Sequence, residues 1–149
     1  MLFNTNILET VKRSLKAFKT TNGIHLKYFT LDEFDSPDEA DSGKKMCAHF
    51  LNRLEKAREM VDGQMVFKIN SGYRSKNWND NVLKAKFNSS HKLGKAADIS
   101  FNGSRERFLL INSLLSVGFN RLGIGNRFVH VDNDIDKDWN VIWTYNNNN

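Results

Sequence analysis

Three short segments alternate apolar and polar residues with a period of two, and they are spaced among stretches whose apolar residues recur at helical intervals. Met65, Phe67 and Ile69 alternate with Val66, Lys68 and Asn70, and residues 95–101 and 127–132 alternate in the same way. Such segments fold as strands with one face turned to a core. The helical intervals run through Ile7, Val11, Leu15 and Phe18 (residues 7–19), through Met46, Phe50, Leu54, Ala57 and Val61 (44–61), and over 104–117. The third of these has Ser104 as its cap and Gly118 as its stop. A further strand is expected at 140–145, and 76–85 reads as a short helix or irregular. Residues 20–43 are acidic and turn-rich, with Ser36-Pro37 placed to start a helix. Gly63 and Ser71-Gly72 punctuate the chain, and the 146–149 tail is expected to fray. Strands and helices mix without regular βαβ alternation. The expected fold is therefore α+β, a mainly antiparallel sheet packed with about three helices.

At 149 residues, with one proline and nine glycines, the chain reads as one domain with no long linker. The first 25 or so residues form a possible helical appendage, because the later segments already supply a full set of core elements. Cys47, the one cysteine, excludes an internal disulfide and a cysteine-rich zinc site, and its apolar helical surroundings suit a small buried residue. The start Met1-Leu2-Phe3-Asn4 has no basic, apolar leader, and no stretch approaches the ~20 apolar residues of a membrane span. Synthesis in the cytoplasm without a signal peptide, and no membrane insertion, are the expectation. A net charge of +5 favours anionic partners without choosing among them. The basic residues are scattered apart from Lys12, Arg13, Lys16 and Lys19, and no nucleic-acid motif accompanies them, so no specific nucleic acid is expected. A monomer is expected.

Of the four histidines, His25 and His49 have no carboxylate or histidine at ligand spacing. His91 differs. It lies in the loop Asn88-Ser89-Ser90-His91-Lys92-Leu93-Gly94, six residues before Asp98. Alternation puts Ala96, Asp98 and Ser100 on one strand face and Ala97, Ile99 and Phe101 on the other. The small neighbours of Asp98 leave room above it, and Gly94 lets the chain bring His91 over the same face. In Arg127-Phe128-Val129-His130-Val131-Asp132, His130 and Asp132 share a face while Val129 and Val131 point the other way. Two imidazoles and a carboxylate meeting across neighbouring strands make the ligand set of a hydrolytic zinc site. A satisfied buried Asp–His pair is the plainer reading of the same spacing.

Four stretches carry a resemblance over about Phe29 to Tyr145. They are Phe29-Thr30-Leu31-Asp32-Glu33-Phe34-Asp35-Ser36-Pro37-Asp38; Ser71-Gly72-Tyr73-Arg74-Ser75; Ser89-Ser90-His91-Lys92-Leu93-Gly94-Lys95-Ala96-Ala97-Asp98-Ile99; and Gly118-Phe119 with Gly123-Ile124-Gly125 and Phe128-Val129-His130-Val131-Asp132. Together they resemble the M15 family of zinc D-Ala-D-Ala carboxypeptidases and murein endopeptidases, in particular its short phage-encoded members. The resemblance implies one Zn²⁺ held by His91, Asp98 and His130, a transition-state arginine at Arg74, and a substrate-binding serine at Ser89.

Two departures stand out. Many members carry Glu or Asp three residues before the last histidine, or His two before it; this chain has Arg127 and Phe128. A Gly-Gly pair common after the arginine motif is here Leu83-Lys84. The proton shuttle that peptide hydrolysis needs is therefore not located by either pattern. Asp132, on the face of His130, is placed either to fill that role or to orient a ligand histidine from outside; Asp134 and Asp136 are further carboxylates nearby. Trp139 and Trp143 read as packing or rim residues.

The function implied is a zinc peptidase acting on peptidoglycan stem or cross-bridge peptides, in the manner of a phage lytic enzyme that reaches the bacterial wall after release or as part of a virion. A wall-binding module that keeps the metal site without catalysis is the alternative. Nucleic-acid binding rests on charge alone.

Overall fold

The computed structural model describes residues 19–21 and 23–145. The expected helix over 7–19 and the 146–149 tail lie outside these residues, apart from Lys19. Strands β1 (Lys19–Thr21) and β2 (Ile24–Leu26) pair antiparallel as a small separate ribbon. Five strands make the main sheet: β3 (Lys68–Ser71), β4 (Ala96–Ser100), β5 (Arg121–Ile124), β6 (Phe128–Asp132) and β7 (Val141–Thr144), in the order β3-β4-β6-β5-β7. All pairings are antiparallel except β5 with β7. Helices α1 (Ala48–Met60) and α2 (Gly103–Ser116) pack against each other, and α2 lies on β6. The fold is α+β with a mainly antiparallel sheet.

The alternation seen in the sequence decides which face each strand buries. Ala97, Ile99, Val129, Val131 and Leu122 are fully buried and join Phe50, Leu51, Leu54, Leu110, Leu114 and Phe119 in one core. Each fully buried Leu, Val or Phe contributes about 1.5–3 kcal/mol of transfer free energy. The opposite face stays free for polar groups. There the register aligns one residue from every strand in a row: Ser71, Asp98, His130, Gly123 and Trp143 are successive partners across the sheet.

Glu55 ties the ribbon side of the molecule to α1. Its buried carboxylate accepts the backbone N–H groups of Lys27, Tyr28 and Phe29 at 3.0 Å each. The N–H of Cys47, at the start of α1, is taken by the carbonyl of Gly94 at 2.8 Å, which fastens that helix to the loop carrying His91. Cys47 is half-buried against the core.

Several local expectations are corrected. No helix starts at Ser36-Pro37. The Ser36 hydroxyl instead donates to Asp38 at 2.6 Å and accepts the N–H of Ser75 at 3.0 Å, holding a turn against the Arg74 segment. The strand expected from Met65 begins at Lys68, although Met65 and Phe67 are buried and Val66 is exposed as the alternation requires. Helix α2 is capped from position 102, one residue before its first turn, with the Glu106 carboxylate on the Asn102 N–H at 2.7 Å; Ser104 lies inside the helix. Strand β5 was not expected, because Arg-Leu-Gly-Ile carries a charge and a glycine. Residues 76–85 contain a π-helical turn, Trp78–Val82. Lys84 sits at φ +49°, in the left-handed region that glycine favours.

Candidate metal centre

Two strands and one turn bring the chemistry-bearing groups together. Asp98 on β4 and His130 on β6 are direct partners in the antiparallel ladder, so their side chains rise side by side from one face. His91 reaches them from a short 3₁₀ turn, Ser90–Leu93, that closes at Gly94 with φ +64°. A Cβ at Gly94 would lie 2.3 Å from the Lys45 carbonyl oxygen, so only glycine allows this approach of the loop to the start of α1.

His91 Nε2, Asp98 Oδ1 and His130 Nδ1 converge. The distances are 3.3 Å between the two nitrogens, 3.3 Å from His91 to Asp98, and 2.9 Å from His130 to Asp98. Each residue is tied on its far side. His91 Nδ1–H donates to the Gly72 carbonyl at 2.7 Å, which leaves the lone pair on Nε2. His130 Nε2 meets Asp132 Oδ2 at 2.9 Å, which turns Nδ1 toward the cluster. Asp98 Oδ2 accepts Arg74 Nη2 at 2.7 Å, which leaves Oδ1 on the cluster side. Arg74 is braced in turn by Nε on the Ser71 hydroxyl at 2.9 Å.

Burial sharpens the electrostatics. Burial of His91 pushes its pKa down in spite of Asp98, favouring the neutral ring. Burial acts in the same direction on His130, but its hydrogen bonds to Asp132 and Asp98 prevail and raise it. For Asp98, burial works against the charge, yet the bonds from His130 and His91 hold its carboxyl well below the usual carboxylate range. An anionic oxygen and two imidazole nitrogens facing one point could hold a metal cation.

The fit to zinc is testable from the spacing alone. Bonds of about 2.0–2.1 Å at tetrahedral angles separate ligand atoms by about 3.3 Å. Two of the three observed separations, both 3.3 Å, match this, and the third, 2.9 Å between His130 and Asp98, needs only a small opening. Two histidine nitrogens and one carboxylate oxygen, each with an outer hydrogen-bond partner, are also the donors that such sites use.

The cluster opens on a cleft of about 790 Å³, whose lining includes Arg74, Ser89, Asp136, Lys137, Trp143 and Tyr145. One wall is the loop after β6. There the buried Asp134 accepts the Ser90 hydroxyl at 2.8 Å, and Lys137 Nζ donates to the same hydroxyl at 2.8 Å, so the loop is pinned beside the His91 turn. The other wall is aromatic. Gly123 presents no side chain, and a Cβ there would meet Trp143 at 2.6 Å and Tyr145 at 2.7 Å. The gap lets the Trp143 ring lie 5.6 Å from that of His130. Trp139, by contrast, is exposed.

The two histidines set aside in the sequence and the further carboxylates fall outside the cluster. His25 bonds through its backbone N–H to Asn52, and His49 meets Arg53. Asp132 is buried and engaged on both oxygens, Oδ2 by His130 and Oδ1 by Arg121 Nε at 2.7 Å and the Asp134 N–H at 3.1 Å. Asp134 faces Ser90, and Asp136 lines the cleft. Sequence reasoning missed the Gly72 carbonyl and Arg121. Arg121 had one signal, a charge opening an otherwise apolar tetrapeptide two residues before Gly123.

Comparison with curated proteins gives no match. A family model described as Peptidase M15 matches residues 25–132, a span that contains His91, Asp98, His130, Arg74 and Asp132. A match over most of the 149-residue chain, on a fold that brings those residues to one point, establishes that this chain belongs to the peptidase M15 family.

Proposed function

We propose that this chain is a zinc peptidase that hydrolyses stem or cross-bridge peptides of peptidoglycan, as a single-domain lytic enzyme of phage type. The observation that carries the reading is the convergence of His91 Nε2, Asp98 Oδ1 and His130 Nδ1 at 2.9–3.3 Å on the open side of a cleft. Zinc held there supplies a water of lowered pKa and a Lewis acid for the scissile carbonyl.

The chain's own residues do the rest. Arg74 holds the outer oxygen of Asp98 and lines the cleft, where its guanidinium places a fixed positive charge against developing negative charge. Ser89, at the cleft edge, offers a hydroxyl to the bound peptide. Asp132 serves as the outer carboxylate that orients His130 rather than as the proton shuttle, because neither oxygen is free. Proton transfer falls to Asp136. It lines the cleft, and among the described residues no side chain engages its carboxylate. The cleft and the outer partners of every ligand favour an enzyme over a binding module that merely keeps the site.

Incubation of the protein with purified muropeptides, with products weighed by mass spectrometry, tests the reading. Chelator-sensitive release of a peptide or of D-alanine is the expected result. Intact muropeptides after prolonged incubation with zinc-loaded protein would leave the binding module in its place.

A further inference from the structure

Arg121 is given no role of its own in the reading above beyond occupying Asp132, yet it is a buried cation beside the site. It opens β5, one residue before the Leu122–Val131 pair of the ladder, and so lies beside Asp132 on β6. Its Nε donates to Asp132 Oδ1 at 2.7 Å. Its Nη1 donates to the carbonyl of Asp138, on the loop that walls the cleft. The guanidinium carbon stands 5.4 Å from the centre of the Trp143 ring, and that ring stands 5.6 Å from His130.

Among the described residues, the hydrogen bond and the aromatic contact that hold the His130 ring from outside the ligand cluster both pass to Arg121 in one step. Asp132 bonds His130 Nε2 at 2.9 Å and Trp143 flanks the ring. A carboxylate on a single-bond stem rotates unless both oxygens are fixed. Here the Arg121 Nε and the Asp134 N–H fix Oδ1, and that fixes the direction of Oδ2. A planar guanidinium provides this, since its forked donors hold the carboxylate and the Asp138 carbonyl at once. We propose that Arg121 is a positioning residue of the metal centre, setting zinc affinity through Asp132 and the His130 ring without touching the metal. The proposal rests on the metal-centre reading.

The test is zinc affinity, measured by competition against a chelator of known strength, in the full chain and in three variants. Arg121→Met keeps length and apolar stem but removes every donor. Arg121→Lys keeps the charge and one point of donation. Asp132→Asn removes the shared partner. Weakening of zinc binding by about 10–100-fold in Arg121→Met is expected, with partial recovery in Arg121→Lys. The double variant Arg121→Met/Asp132→Asn should bind zinc about as weakly as Asp132→Asn alone, since both changes cut one path. Cobalt-substituted protein supplies a second readout: the visible ligand-field bands should shift in Arg121→Met while the far-ultraviolet dichroism of the metal-free protein stays the same.

Wild-type zinc affinity in Arg121→Met, or losses that multiply in the double variant, would overturn the proposal. Should Arg121→Met not fold, Arg121→Lys decides: full wild-type affinity and an unshifted cobalt spectrum count against the fork. Absence of zinc binding in the unmodified chain would overturn the metal-centre reading itself, a result distinct from wild-type-like variants.

Discussion

Replacing Gly72 by alanine strikes the metal centre from behind. Gly72 directly precedes Tyr73-Arg74, and its backbone φ is not in the left-handed region, so strain there is purely steric. An alanine Cβ would lie 2.6 Å from Phe34 Cα, 2.7 Å from its Cβ and 2.8 Å from its carbonyl oxygen. Those atoms belong to a fully buried residue whose carbonyl also accepts the Tyr73 N–H at 2.9 Å, so they cannot swing away. Restoring a contact of about 3.5 Å requires the strand end to retreat by roughly 0.9 Å. A retreat of that size stretches the 2.7 Å bond from His91 Nδ1 to the Gly72 carbonyl beyond hydrogen-bonding range. Overpacking costs about 1–3 kcal/mol and the lost bond about 0.5–1.5, a total of about 1.5–4.5 kcal/mol in the metal-free protein. A ligand histidine freed of its outer partner loses about 10–100-fold in zinc affinity. The stabilisation that saturating zinc adds should then shrink by about 1.4–2.8 kcal/mol. Urea unfolding of both proteins with and without zinc measures the two effects separately. A Gly72→Ala protein with a normal midpoint and an unchanged zinc increment would refute the argument that this glycine seats His91.

Three further outcomes are expected. Glu55→Ala strips an acceptor from three backbone N–H groups, one of them on the buried Phe29, and should lower stability by about 3–5 kcal/mol in urea unfolding while leaving zinc affinity unchanged. Hydrogen bonds from Ser36, Asn77 and Ser75 hold the Asp38 carboxyl below its usual 3.8, so its contribution is complete above that pH and is lost as pH falls through the lower folded value; Asp38→Asn should flatten the acid limb of a stability-versus-pH curve. Asp136→Asn should bind zinc normally and turn over peptide about 10²-fold more slowly, measured with muropeptides.

The strands and the ligand face were legible because burial enforces a period of two: Val129 and Val131 inward forces His130 and Asp132 outward. Asp98 followed by the same logic, and the His91 loop from glycine and serine around it. What escaped were contacts made by groups with no periodic signature. The Gly72 carbonyl is backbone, invisible in residue type. Arg121 looks like a surface charge until β5 is paired with β6, and β5 lacks apolar alternation because a charge and a glycine flank its buried Leu122. Ser36-Pro37 misled for a related reason, since the Ser36 hydroxyl is engaged by Asp38 and Ser75 and is not available as a cap. Asp132 could be placed on the right face from sequence, whereas the partners on both of its oxygens, which support the orienting role proposed for it, have no signature there.

The central claim is that peptide cleavage depends on one zinc ion at His91, Asp98 and His130. Protein stripped of metal by chelation and then titrated with zinc, with muropeptide cleavage followed at each addition, tests it most directly. Stripped protein should be inactive, cleavage should rise linearly and level off at one equivalent, and His91→Ala or His130→Ala should recover nothing at the same zinc concentration. Full cleavage by the stripped protein, or recovery in either histidine variant, would contradict it.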